Sequence, residues 1–156
     1  MFPRKPARLS GFDYLGPHRY FLTCCCARRQ RFFEDAGTVG STLAQFLRSS
    51  DEMGFAVRAY CFMPDHVHLL VEGTRDDADL CAFVKLSRQR SALVHGNRSR
   101  DRLWQPGYFE RVLRSDEDSV AVARYILFNP VRAGLVRQPS EYAFLGTTLA
   151  AIEDLG

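Results

Sequence analysis

The chain has 156 residues, 21 of them Lys or Arg against 18 Asp or Glu, for a formal net charge of +3. That length suits a single domain burying roughly two-thirds of its unfolded surface. Five cysteines without paired spacing exclude a disulfide framework and fit a reducing cytoplasm, and no apolar run is long enough to span a bilayer.

Residues 1–16 open polar, Met1-Phe2-Pro3-Arg4-Lys5-Pro6 showing no secretory leader, and read as a flexible basic arm. A strand is expected near 18–27, ending in the basic residues Arg28, Arg29 and Arg31. Within it Cys24, Cys25 and Cys26 read as small buried residues, as do Cys61 and Cys81 further on. A helix near 37–53 should turn Leu43, Phe46 and Leu47 inward. Strands near 55–62 and 66–73, joined through Met63-Pro64-Asp65, form an antiparallel hairpin.

Inside the second of these strands stand His66 and His68. Side chains alternate along a strand, so His66, His68 and Leu70 share one face and Val67, Leu69 and Val71 the other. Two imidazoles side by side make a metal-ligand pair in search of a third group, or two ordinary strand histidines bonded to backbone.

The segment 77–95 carries Leu80, Phe83, Val84 and Leu93 at helical spacing behind an acidic start, Asp76, Asp77 and Asp79. A polar loop at 96–102 leads to a strand near 107–114. Ser115-Asp116-Glu117-Asp118-Ser119 then starts a helix with Val120, Val122, Ala123 and Ile126 as its apolar positions. Pro130 should end it near Asn129, leaving Tyr125 and Asn129 four residues apart on one face of the last turn. Strands and helices in this order give an α+β fold, helices over a four- or five-stranded antiparallel sheet. Residues 138–156 form a short tail.

Nineteen of the 21 basic residues are arginines, the residue type that binds phosphates bidentately and stacks on bases, although a GC-rich genome favours the same codons. They cluster in 1–34 and 85–114, with Trp104, Tyr108 and Phe109 interleaved in the second stretch. Arg28, Arg29, Arg31, Lys85, Arg88, Trp104 and Arg114 are the candidate DNA-facing residues, a solvated surface being the simpler reading for any one arginine.

Four blocks in fixed order carry a resemblance: Tyr20-Phe21-Leu22-Thr23 running to Arg28-Arg29; Met63-Pro64-Asp65-His66-Val67-His68-Leu69-Leu70; Leu103-Trp104-Gln105-Pro106-Gly107-Tyr108-Phe109-Glu110; and Tyr125-Ile126 with Asn129-Pro130-Val131-Arg132-Ala133-Gly134-Leu135-Val136. The chain resembles the single-tyrosine HUH transposases and, through Asn129 where insertion-sequence relatives tend to carry Gln, their REP-associated tyrosine branch. The resemblance implies a ferredoxin-like or RRM-like sheet across 17–137, with the histidine strand central and the tyrosine on a C-terminal helix. It implies a divalent cation, Mg²⁺ or Mn²⁺, held by His66, His68 and Asn129, and Tyr125 as the nucleophile toward single-stranded, hairpin-forming DNA. Many relatives are dimers that exchange tyrosine helices while the REP-associated branch includes monomers, so a homodimer and a monomer both stay open.

Two further readings compete. A catalytically silent nucleic-acid-binding module of the same fold gives the histidines no role and lacks the aromatic strand motif of RNA-recognition domains. A metallohydrolase of small substrates would want more ligands than the pair, and only His18 and His95 remain.

Overall fold

The computed structural model describes residues 11–115 and 117–149. Most of the expected arm, including Arg4, Lys5 and Arg8, lies outside that range, as do Asp116 and the end of the tail. Strand β1 (Arg19–Cys25) is followed by helix α1 (Ala36–Met53), strands β2 (Phe55–Met63) and β3 (His66–Gly73), helix α2 (Leu80–Gly96) and strand β4 (Phe109–Val112). Helices α3 (Ser119–Leu127) and α4 (Asn129–Arg132) and strand β5 (Leu145–Thr147) complete the chain. The sheet is antiparallel throughout its five strands in the order β4-β1-β3-β2-β5, so the histidine strand is central. This is the expected ferredoxin-like α+β arrangement, with a fifth strand added at the β2 edge.

Two apolar layers follow from the strand alternation. Tyr20, Leu22, Cys24, Val67, Leu69 and Val71 face α1 and α2, burying Phe46, Phe83 and Val84. Phe21, Cys61, Met63 and Leu70 face the other way, against Val122, Ala123, Ile126 and Leu127 of α3. The cysteines are free; Cys24, Cys25, Cys26 and Cys61 are buried as expected, Cys81 on α2 only half-buried, and burial pushes the thiols of Cys24, Cys26 and Cys61 up to about 12.

The helices begin and end where side-chain chemistry directs. Asp35, Asp79 and Asp118 cap α1, α2 and α3, accepting from the backbone N–H groups of Thr38, Ala82 and Val120. Gly54 closes α1 in the left-handed conformation (φ 78°) that glycine adopts without strain. The tyrosine helix ends at Leu127, close to the stop expected ahead of Pro130. The chain kinks at Phe128 and Pro130 enters the first turn of α4, where its missing N–H costs nothing.

Three expectations are corrected. Leu47 and Leu93 are exposed: the buried face of α1 runs through Val39, Thr42, Phe46, Ser49 and Ser50, and that of α2 continues through Ser87, Ser91 and His95 rather than through a leucine. The segment before β1 is not wholly a free arm: Tyr14 is buried, and a Cβ at Gly73 would collide with the Gly16 carbonyl packed against it. The tail likewise joins the fold, since β5 pairs with β2 and the Tyr142 hydroxyl donates to the Phe62 carbonyl at 2.6 Å.

Candidate active site

Register places the site. Thr23 of β1 and Cys61 of β2 flank His68, while Cys25 and Met63 flank His66, so both imidazoles stand on the α3 face of the central strand. Their ring centroids are 4.7 Å apart. His66 and His68 are 6% and 7% exposed. Burial drives both imidazoles down from their ordinary value, His66 to about 4 against the pull of the neighbouring Asp65, and His68 to about 3. Both are therefore neutral at pH 7, the form that has a lone pair to give.

Each ring is also oriented. His66 Nδ1 lies 2.7 Å from Asp65 Oδ1, and His68 Nδ1 lies 2.8 Å from Thr23 Oγ1. Asp65 is held in turn by Arg29, whose Nε and Nη2 reach Oδ2 at 3.0 and 2.9 Å. Burial raises the Asp65 carboxyl, but the bonds from His66 and Arg29 outweigh it and hold the group below the ordinary carboxylate range. Each ring is thus held through its Nδ1 by an oxygen of a neighbouring side chain, a pattern shared by oriented metal-binding histidines.

Tyr125 reaches the same place from α3. The buried face Val122, Ala123, Ile126 and Leu127 leaves Tyr125 turned toward the cavity rim, 56% exposed, with its ring 6.0 Å from that of Phe21. Arg19 fixes the helix start by donating to the Arg114 and Glu117 carbonyls and the Ser119 hydroxyl, each at 2.7 Å. One cavity of about 680 Å³ is lined by His66, His68, Tyr125 and Asn129 together with Thr23 and Arg29. The four residues singled out in the sequence thus converge, even though the kink at Phe128 separates Tyr125 and Asn129 into different helices.

A divalent cation fits this donor set. Two neutral imidazoles with engaged Nδ1 atoms and one amide oxygen from Asn129 leave positions open for phosphate oxygens. Among the described residues no cluster of three or more His, Cys, Asp or Glu offers an alternative.

The proposed DNA-facing residues disperse. Arg29 lines the cavity, but Arg28 turns to a separate cleft and Arg31 pairs with Glu34. Lys85 and Arg88 lie on the opposite, α2 side of the sheet. Arg88 donates to the carbonyls of Gln105 and Gly107, at 2.5 and 3.0 Å, and so serves the 105–107 loop. Trp104 is no stacking platform: it is 5% exposed and its indole N–H donates to Ser91 Oγ at 3.0 Å, filling the room that small serines leave on α2. Arg114 is exposed in the loop before α3.

Thr23, Asp65 and Arg132 were not singled out from sequence. Asp65 sits within the histidine block, but Thr23 is recognisable only once strand register is known.

The family profile described as IS200-like transposase matches residues 17–128, more than half of the chain and inclusive of both histidines and Tyr125. The chain belongs to the IS200-like transposase family. A provisionally named REP-associated tyrosine transposase of Haemophilus influenzae is 26% identical over 143 residues, spanning 85% of this chain and 81% of its own. A REP-associated tyrosine transposase of Escherichia coli K12 is 27% identical over 90 residues, 58% of this chain and 53% of that one. Among solved structures, a REP-associated tyrosine transposase bound to a REP hairpin superposes with a TM-score of 0.73 at 20% identity, covering 90% of this chain and 82% of that one. A protein of Deinococcus radiodurans described as a transposase gives 0.54 at 23% identity, over 76% and 95% of the two chains. These likenesses bear out the fold and the resemblance drawn from the four sequence blocks. No helix among the described residues is long and apolar enough to cross a membrane.

Proposed function

We propose that this IS200-like family member is a metal-dependent enzyme that nicks and rejoins single-stranded DNA through a covalent 5′-phosphotyrosine on Tyr125. The convergence of Tyr125 with His66, His68 and Asn129 on one cavity carries the reading. A divalent ion, Mg²⁺ or Mn²⁺, held by His66, His68 and Asn129 supplies Lewis-acid polarisation of the scissile phosphate when bound. The chain's own residues do the rest. Asp65 and Thr23 hold the imidazoles in place, and Arg29 and Arg111, each paired with a carboxylate, line the cavity wall where a phosphodiester would lie. Tyr125 Oη forms the new bond to phosphorus as the bond to the 3′ oxygen breaks. The phenolic proton passes to water at this exposed side chain, and the departing oxygen gains a proton to become a 3′-hydroxyl. The phosphodiester bond is exchanged rather than hydrolysed, so attack by another 3′-hydroxyl reverses the linkage and rejoins strands.

One structural relative is bound to a REP hairpin, which makes hairpin-forming repeats the proposed substrate. The test incubates the protein with Mg²⁺ or Mn²⁺ and a labelled single-stranded hairpin from repeats flanking its gene, then reads a denaturing gel. A protein–DNA adduct lost both in Tyr125→Phe and with chelator is expected. Binding without adduct across several hairpins and both metals would move the assignment to a silent binding module.

A further inference from the structure

The turn that follows β1 carries two arginines in the left-handed backbone region, Arg28 (φ 55°) and Arg29 (φ 56°). A non-glycine residue adopts that region only under strain, and the strain has a visible product. Consecutive residues are sent to different places: Arg29 to the catalytic cavity and Arg28 to a second cleft of about 440 Å³. That cleft is also lined by Arg100, Arg102, Gln30 and Gln105, with Asp101 as its one carboxylate.

The wall opposite the turn is held firmly. Ala27 N–H donates to the Leu103 carbonyl at 2.8 Å and Gln105 N–H to the Cys25 carbonyl at 3.1 Å, so the 103–105 segment continues the sheet beside β1. Leu103 and Trp104 are buried inward, leaving Arg102 exposed beside the turn and Gln105 half-exposed. Many other arginines have internal work: Arg19, Arg58, Arg88, Arg90 and Arg111 are bonded to carbonyls, hydroxyls or carboxylates. Among the described residues the guanidiniums of Arg28, Arg100 and Arg102 make no ion pair or hydrogen bond. Three uncommitted guanidiniums around one cleft, with two amide side chains beside them, match a phosphodiester with a base attached.

We propose that this cleft is a second nucleotide-binding site, separate from the catalytic cavity. It takes the single strand running on from the cleaved phosphate, with Arg28, Arg100 and Arg102 on its phosphates and Gln30 and Gln105 at a base edge. The proposal rests on single-stranded DNA being the substrate, and not on the tyrosine chemistry. It also assigns Arg100 and Arg102 a role that sequence clustering alone did not separate from solvated surface.

The test measures binding of fluorescein-labelled hairpin oligonucleotides to Tyr125→Phe protein across a salt series, with single-stranded flanks of full length or trimmed on the 5′ or 3′ side. Arg28, Arg100 and Arg102 are changed together to Gln. Arg48, Arg75 and Arg137 changed together to Gln serve as the charge-matched control. Each lost single-strand phosphate contact lowers the slope of log K against log salt by about 0.7, so the cleft variant should bind the full-length strand with a slope shallower by about 2. That difference should vanish when one of the two flanks is trimmed. A slope equal to that of the parent, a matching fall in the control, or a loss indifferent to both flanks overturns the proposal. Adduct formation by the Tyr125-containing cleft variant on short-flank DNA separates the two readings. Adducts with an unchanged slope sink the cleft alone, and a fallen slope with no adduct from any protein keeps the cleft and sinks the phosphotyrosine.

Discussion

The guanidinium of Arg132 lies over the ring of Tyr125, 4.0 Å from its centroid, and donates to the Tyr125 carbonyl at 2.6 Å. One side chain thus spans the kink at Phe128, satisfying a carbonyl at the end of α3 and covering one face of the proposed nucleophile. An exposed cation–π contact is worth about 0.5–1 kcal/mol, and without it the tyrosine also loses a wall that limits its rotation. Arg132→Ala is expected to slow single-turnover adduct formation by about three- to tenfold while hairpin affinity holds. Arg132→Lys should recover only part, since an ammonium does not stack as a planar guanidinium does. An unchanged rate in Arg132→Ala would mean that the contact does not position the ring.

Thr23 and Asp65 act one step back from the proposed cation. Removing the group that orients a ligating imidazole lowers metal affinity by about 10–100-fold in comparable sites. Thr23→Val keeps the shape of a buried strand residue but removes the hydroxyl from His68 Nδ1, and Asp65→Asn weakens the bond to His66 and the pairing with Arg29. Titration calorimetry with Mn²⁺ on the Tyr125→Phe background, free of DNA, should show weaker binding in both variants. Affinity equal to that of the parent would reduce these contacts to packing.

Folding stability should fall as pH drops through the range below about 6.5. Burial lowers His66 to about 4 and His68 to about 3, and also lowers His95, whose ring is packed against Phe32. In the unfolded chain these imidazoles take up protons near pH 6.5, whereas the native state stays neutral until the lower values are reached. The unfolded state therefore binds more protons in this window, and stability rises with pH across it. Thermal unfolding in metal-free buffer at pH 7.5 and 5 should differ by several degrees, with the lower Tm at pH 5. His95→Gln should narrow that difference. Equal Tm values at the two pH points would mean that the histidines titrate normally in the folded protein.

Strand alternation was legible because it is a local property: His66 and His68 share a face in any strand, and the Pro64-Asp65 turn sets the hairpin. The convergence of Tyr125 on that face followed from the resemblance, not from spacing, since no local rule says which side of the sheet a later helix covers. Arginine clustering misled where it ignored internal bonding. Arg88 and Trp104 stand within a basic stretch yet commit their polar groups inside the fold, on loop carbonyls and Ser91. Leu93 was misplaced for a related reason: the core-facing stripe of α2 turns to serine where helices and the indole approach closely, so hydrophobicity no longer marks burial there. Pro130 reads correctly as a stop, since α3 ends at Leu127; what the sequence does not show is that the proline also sits in the first turn of a new short helix.

Whether one chain suffices for catalysis is decided by where α3 can go. Tyr125 lines the same cavity as the histidines of its own chain, and α3 buries Val122, Ala123, Ile126 and Leu127 against the sheet. Each larger side chain of this kind contributes about 1.5–3 kcal/mol when buried, so detaching the helix to serve another copy would expose several such contacts before any are regained. Arg19 adds three bonds across the helix start that exchange would have to break or rebuild. The expected outcome is catalysis in cis. Mixing Tyr125→Phe protein with a His66→Ala, His68→Ala double variant, under conditions where each alone is inactive, should give no adduct at any ratio. Recovery of adduct in the mixture, rising with total protein concentration, would instead require that the tyrosine of one copy works in the histidine site of another.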